Sequence, residues 1–414
     1  MRTTEVTDGV FRLSANVSNI KFEGMWQIPN GVSMNSYLVK GDKAALIDGV
    51  CDWDGVPETL FEKLDQMNVK LEDIEYVVVN HMEPDHSAWL QSFREIRGSG
   101  YTIICTEKAK ALLEAFYDIT EDVQTVKSGD TLDLGNGRVL AFEEIPNVHW
   151  PETMATYDTK SQTLFPCDAF GSFGSISDDA PYDDTLSEEN IQFFEREMER
   201  YYANIVAAFS APVQKAISKL GPLDIKTIAP GHGIVWRNDP GRVVHTYERL
   251  AGYSKGPARP EITVLWGSMY GMTGQAVQPA VDAIEEAGIA TRVHQLPETD
   301  MSYVLDSVFQ SSGVVLAMPT YEYKMFPPMA AALDEIGKKK IQNRKAFRFG
   351  SYGWSGGAQK ELMEIHDRLK MKWDWVDPVE FKGKPTDEDI ALIQERAREL
   401  AQQVKEWTLE EQPA

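Results

Sequence analysis

Two kinds of apolar periodicity divide the chain. Up to about residue 250, short runs that alternate or are wholly apolar predict strands at 9–13, 35–39, 44–50, 76–80, 101–105, 138–144, 155–158 and 225–229. Helix-period patterns at 57–67, 188–208 and 211–220 punctuate them. Many strands with helices set outside them predict a mixed α/β sandwich covered by helices. Beyond a Gly- and Pro-rich stretch at 251–260, the pattern becomes regular alternation. Apolar runs at 262–266, 291–296, 313–318, 345–350 and 372–376 alternate with helical segments at 274–287, 303–309, 328–338, 358–369 and 387–405. Five strands alternating with five helices predict a doubly wound parallel sheet, whose ligands bind beyond the carboxyl ends of the strands. The expected organisation is therefore a first domain over 1–250, a linker over 251–260 and a second domain over 261–414.

Composition narrows the function classes. The 414 residues fit two to three domains, and 43% hydrophobic against 25% charged residues is the mix of a folded protein. A net charge of −23 repels phosphate backbones, so no nucleic-acid partner is expected. The start lacks a secretory apolar region and no stretch reaches the length of a membrane span, so the expectation is a soluble, cytoplasmic protein without a membrane partner. Three scattered cysteines include no C-x-x-C pair, so a metal here must use His and carboxylates. Cys51 and Cys105 read as core strand residues and Cys167 as a packed small side chain.

The candidate chemistry of the first half sits at strand ends. The run 76–80 leads directly into His81-Met82-Glu83-Pro84-Asp85-His86, so four metal-competent side chains leave one apolar strand within six residues. His149, Asp168 and His232 each follow an apolar run in the same way, whereas His245, His294 and His366 lie in helical or strand patterns that read as solvated or core positions. In the second half, the strand 262–266 runs into Gly267-Ser268-Met269-Tyr270-Gly271-Met272-Thr273-Gly274 and then a helix. Such a turn aims backbone N–H groups and a positive helix end at a phosphate, with Ser268 and Thr273 as added hydroxyl donors. Absence of a P-loop lysine disfavours a nucleoside triphosphate. Two later loops, Pro319-Thr320-Tyr321-Glu322-Tyr323 and Ser351-Tyr352-Gly353-Trp354-Ser355-Gly356-Gly357, fall on the same predicted sheet edge and suit a flat ring.

The order His81-x-Glu83-x-Asp85-His86, His149, Asp168, His232 resembles the metal site of flavodiiron proteins, which belong to the metallo-β-lactamase fold superfamily. The intervals of 64, 19 and 64 residues from Asp85 through His149 and Asp168 to His232 are similar as well. Zinc hydrolases of that superfamily usually carry His where this chain has Glu83, and the added hard oxygen donor favours iron over zinc. The resemblance implies one iron on His81, Glu83 and His149, a second on Asp85, His86 and His232, and Asp168 bridging both, with the metals roughly 3.5–4 Å apart. Three carboxylates against two Fe²⁺ leave a charge that a bridging hydroxide cancels. One of Tyr201 and Tyr202 is implied to face that pocket, with Tyr202 the catalytic candidate beside Asp168; Met25 and Trp26 are further candidates for its lining. Read from the residues alone, either tyrosine is a core side chain.

The three later loops resemble the FMN site of short-chain flavodoxins, in the version that flavodiiron proteins carry. Met272 stands where flavodoxins often have Asn, at a position that contributes mainly its backbone N–H. The implied FMN contacts are Ser268, Met269, Tyr270, Gly271, Met272, Thr273, Pro319, Thr320, Tyr321, Ser351, Tyr352, Gly353, Trp354, Ser355 and Gly356. The fold implied is a metallo-β-lactamase-like αββα sandwich followed by a flavodoxin-like sheet. The function implied is reduction of dioxygen to water, of nitric oxide to nitrous oxide, or of both, with electrons passing through FMN to the diiron site. A head-to-tail homodimer, or a dimer of such dimers, is implied. No rubredoxin-like C-x-x-C pair or third flavin module is found up to Ala414, so the donor is expected to be separate, such as rubredoxin or a reduced deazaflavin. Two alternatives remain at this point: a dizinc hydrolase with an appended flavodoxin domain, and an electron carrier whose first domain only docks.

Overall fold

The computed structural model describes residues 4–50, 58–177 and 180–410. Cys51 and the first residue of the helix predicted at 57–67 lie outside them. The chain divides into two compact units, Met1–Tyr202 with Ala211–Glu248, and Ala203–Ser210 with Arg249–Ala414. The stretch expected as a linker is taken up at its ends by the helix Pro240–Tyr253 and the strand Arg259–Trp266.

Two sheets form the first unit. One runs Thr4–Thr7, Val10–Val17, Val32–Lys40, Ala44–Ile47, Ile74–Val78, Thr102–Cys105, Val123–Thr125, antiparallel at first and parallel from Ala44–Ile47 onward. The other runs Thr131–Gly135, Arg138–Glu144, Met154–Asp158, Thr163–Phe165, Thr227–Ile228, and its last pair is parallel. Arg138–Glu144 alternates buried with partly exposed positions, the period-2 pattern of a strand with one face inward. Val39, Ile47, Val78 and Ile104 of the first sheet share one buried cluster with Leu134, Leu140, Phe142 and Phe165 of the second, so the core is the interior of a sandwich. Helices cover it from outside: Trp89–Arg97 buries Trp89, Leu90 and Phe93. Its approach is so close that a Cβ on Gly49 would fall 1.8 Å from the Trp89 indole Nε1.

The second unit is built on a parallel sheet. Counted in chain order, its strands are Arg259–Trp266, Ala290–Gln295, Ser311–Ala317, Lys345–Tyr352, and a fifth position split into Asp374–Trp375 and Val379–Lys382. Their spatial order is 2-1-3-4-5, the flavodoxin-like order, with the reversal between Arg259–Trp266 and Ser311–Ala317. Ser311–Ala317 is buried at every residue, as a central strand covered on both faces must be. Helix Asp387–Glu410 lays Ile393, Ala397, Leu400 and Val404 on one face of this sheet.

Several elements differ from the sequence reading, among them strands Thr4–Thr7, Val123–Thr125 and Thr131–Gly135 and helices Trp89–Arg97, Glu107–Tyr117 and Pro240–Tyr253, which it did not include. The helix expected over 188–208 is α-helical only through Tyr201, then widens into a π-helical turn over Tyr202–Val206 and tightens over Ala207–Phe209. The run 372–376 yields a two-residue strand, because the fifth position is shared with Val379–Lys382. The run 225–229 keeps only Thr227–Ile228. Among the described residues no helix is long and apolar enough to cross a membrane.

Candidate functional site

Local hydrogen bonding holds each strand end from which the candidate ligands emerge. After Ile74–Val78, the backbone N–H of Asn80 donates to Asp48 Oδ1 at 2.8 Å and its amide donates to Asp48 Oδ2 at 3.0 Å. The Thr156 hydroxyl donates to Asn80 Oδ1 at 2.7 Å, so the residue before His81 is tied on both sides. Pro84 starts the one-turn helix Pro84–Ser87, which presents Asp85 and His86 together. Thr163–Phe165 and Thr227–Ile228 are parallel neighbours, so Asp168 and His232 leave the same sheet edge. Asn35 clamps the His232 loop by donating to Pro230 O and Gly233 O, and the Tyr37 hydroxyl donates to Pro230 O. Gly231 is required here: a Cβ would stand 2.8 Å from His86 Cε1.

All seven candidate ligands come together. Among the described residues, His81, Glu83, His149 and Asp168 form one group of converging donor atoms, and Asp85, His86 and His232 another. Asp168 divides its oxygens between them. Oδ2 lies 3.0 Å from His149 Nε2 and 3.6 Å from His81 Nε2, while Oδ1 lies 2.7 Å from His86 Nε2 and 3.4 Å from His232 Nε2. Glu83 Oε2 closes the first set at 2.9 Å from His149 and 3.4 Å from His81, and Asp85 Oδ2 closes the second at 3.4 Å from His232 and 3.5 Å from His86.

These separations fit bound metals. Ligands about 2.1 Å from one ion lie about 3.0–3.4 Å from each other at octahedral or tetrahedral angles. The chemistry agrees: His232 Nδ1 donates to Ser33 O at 2.9 Å, which leaves Nε2 a lone pair, yet that atom lies only 3.1 Å from His86 Nε2. Two imidazole nitrogens facing so closely in a buried pocket suit a cation between them. The surrounding carboxylates favour positive charge among these imidazoles, whether as a proton or as a cation. Burial drives the His149 and His232 pKa values down, but the surrounding carboxylates, Asp168 foremost, override it and raise them to about 9 and about 10. Burial pushes Glu83 up, and His149 and His81 more than reverse this, lowering it to about 2. Asp168 is held well below the usual carboxylate range by His86 and His232 against its burial. A cluster this biased toward its ionised carboxylates is suited to multivalent cations.

Aromatic rings wall the pocket. Trp150 packs 5.2 Å from His81, and Phe22 and Tyr201 stand 5.5 and 5.7 Å from His232, centroid to centroid. The Tyr201 hydroxyl is buried and finds no hydrogen-bond partner among the described residues. Tyr202, the sequence candidate, instead packs on Tyr247 at 5.1 Å, because its neighbour occupies the face toward His232. Met25 lies at an exposed hairpin tip, the buried Trp26 donates to Glu23, and Phe22 of the same hairpin meets a candidate ligand. Sequence reasoning also missed Glu152, whose Oε1 accepts from His81 Nδ1 at 3.0 Å. Nothing in Trp150-Pro151-Glu152-Thr153 distinguishes that carboxylate from a hydrated one.

In the second unit the three candidate loops follow strands one, three and four. Gly271, at φ 84°, closes the first by donating its N–H to Ser268 Oγ at 2.9 Å. Thr273 does not face solvent: its hydroxyl lies 2.9 Å from Ser351 Oγ and accepts from Ser351 N, tying the first loop to the third. Pro319 is buried, and Thr320 Oγ1 accepts from Ala358 N. Met269, Tyr270, Tyr321 and Trp354 are exposed, Tyr270 at 86% and Trp354 at 74%, and Trp354 meets Tyr323 edge to face at 6.3 Å. Met272, Tyr352 and Gly356 are half-buried and Gly353 and Ser355 exposed on the same edge. Backbone N–H groups, hydroxyls and aromatic faces there suit a phosphate and a flat heterocycle.

Comparison with known proteins follows the same lines. Residues 32–233 match the family described as ODP family beta lactamase. The chain is 34% identical over 395 residues to the anaerobic nitric oxide reductase flavorubredoxin of Pectobacterium carotovorum, covering 93% of this chain and 75% of that one. It is 31% identical over 404 residues to the nitric oxide reductase of Moorella thermoacetica, covering 96% and 98%. Among solved structures, rubredoxin oxygen:oxidoreductase from the anaerobe Desulfovibrio gigas superposes with a TM-score of 0.89 at 26% identity, covering 98% of this chain and all of that one.

Proposed function

The chain belongs to the flavodiiron protein family, oxidoreductases with a diiron centre and FMN, and from that premise we propose that His81, Glu83 and His149 hold one iron, Asp85, His86 and His232 the other, and Asp168 both. The three loops of the second unit, with the residues from Ser268 to Thr273, Pro319 to Tyr321 and Ser351 to Gly356, hold FMN. Bound there, iron supplies reversible electron storage and Lewis acidity toward a diatomic ligand, and FMN supplies one- and two-electron transfer.

The chain's own residues do the rest. Ser33 O and Glu152 fix the tautomers of His232 and His81, so both present Nε2 to the pocket. Phe22, Phe173 and Trp150 exclude water, and the buried Tyr201 hydroxyl is a donor available to a substrate oxygen. The substrate is dioxygen, reduced to water, or nitric oxide, reduced to nitrous oxide. Relatives named for each reaction support this reading. Electrons come from a separate donor such as rubredoxin or a reduced deazaflavin, the active form is a head-to-tail homodimer, and the site of action is the cytoplasm. Glu83 and the reductase relatives disfavour the dizinc hydrolase.

One observation carries the reading: the two oxygens of Asp168 face two separate histidine sets. The test is an electrode assay with reduced rubredoxin. Sustained consumption of dioxygen or nitric oxide is expected; a protein whose flavin cycles without turning over either gas contradicts it.

A further inference from the structure

The far nitrogens of the candidate ligand histidines meet different surroundings. The turn from Asn147 to Met154 folds back on itself, with Asn147 N donating to Trp150 O and Ile145 N to Thr153 O, and this brings Glu152 behind His81. Glu152 is buried; its Oε1 accepts from His81 Nδ1 at 3.0 Å and from the Met82 N–H at 3.0 Å, and its backbone carbonyl accepts from the Thr106 hydroxyl at 2.9 Å. In the other set, His232 Nδ1 is backed by the neutral carbonyl of Ser33, and His86 Nδ1 has no hydrogen-bond partner among the described residues. A carboxylate behind an imidazole makes it a stronger donor, whereas a carbonyl orients it with less effect on charge.

We propose that Glu152 is a positioning residue that makes the two metal positions unequal, so that the metal of His81, Glu83 and His149 is held more tightly than that of Asp85, His86 and His232. The proposal rests on the diiron reading. A cavity of about 220 Å³, whose lining includes Thr106, Glu144 and Thr153 and the two cations Lys108 and Lys219, reaches Glu152 from outside. A small carboxylate can therefore enter where the side chain is removed.

Full-length protein, loaded anaerobically with Fe²⁺, is challenged with excess ferrous chelator and release is followed by absorbance. Wild type is expected to lose one iron quickly and one slowly, a measurement that needs no variant to fold. Glu152→Gln keeps an oxygen acceptor and removes the charge; it should speed the slow phase about 10–100-fold and leave the fast phase alone. Glu152→Ala should behave alike, with added formate restoring slow release. Retained FMN and an unchanged circular dichroism spectrum identify folded variants. A single phase in wild type, a slow phase indifferent to both substitutions, or an effect confined to the fast phase overturns the proposal. Failure of wild type to load about two irons overturns the diiron reading itself.

Discussion

Exchanging Glu83 for histidine removes a hard anionic oxygen that stands 2.9 Å from His149 Nε2 and 3.4 Å from His81 Nε2. Because such donors favour iron, Glu83→His grown with both metals available should show less iron and more zinc per chain by elemental analysis; an unchanged ratio removes the selectivity argument. The neighbouring tyrosines separate by substitution. Tyr201→Phe deletes the buried donor beside His232 and should lower kcat about tenfold or more, whereas Tyr202→Phe, packed on Tyr247, should stay within about twofold. Both described thiols are inert for a physical reason: burial pushes Cys105 up to about 12 and Cys167 well above its ordinary value. Only the thiolate reacts, so the fraction available rises with pH yet stays negligible at pH 8. Peptide mapping after iodoacetamide at that pH should find both unlabelled until the protein is unfolded. The seven candidate ligands were legible because each stands just after an apolar run, a local property of sequence. Glu152 was not legible: its partner is 71 residues away, and only the fold of the turn before Met154 joins them.

Helices and strands were readable where one face is buried, and less so where tertiary contacts decide. The run 188–208 has helical periodicity throughout, yet a wide turn begins at Tyr202, and Tyr201 and Tyr202 are both buried against different neighbours, His232 and Tyr247. A period of 3.6 cannot reveal that extra residue per turn. Two substitutions test the elements that support the site. Thr106 caps helix Glu107–Tyr117 by accepting from Ala109 N, and its hydroxyl also donates to Glu152 O. Thr106→Ala should therefore cost about 1 kcal/mol or more in chemical denaturation. Gly49→Ala would drive a methyl into Trp89 and should cost about 1–3 kcal/mol, with the midpoint lowered and the slope unchanged.

Across the whole chain, two chemistries are divided between two compact units, one supplying histidines and carboxylates at the ends of its strands, the other hydroxyls, glycines and aromatic rings at the edge of a parallel sheet. Alternation of strands and helices made the second unit plain from sequence, whereas the first, with its two sheets, showed part of its strands, without Thr4–Thr7, Val123–Thr125 and Thr131–Gly135, and not their partners. One carboxylate, Asp168, is proposed to join two metal positions in the first unit. Iron and FMN quantified in the same samples of wild type and Asp168→Ala test it most directly. About two irons and about one FMN per chain are expected in wild type, and in the variant lost iron with FMN retained. A variant that keeps both irons and full turnover would contradict it.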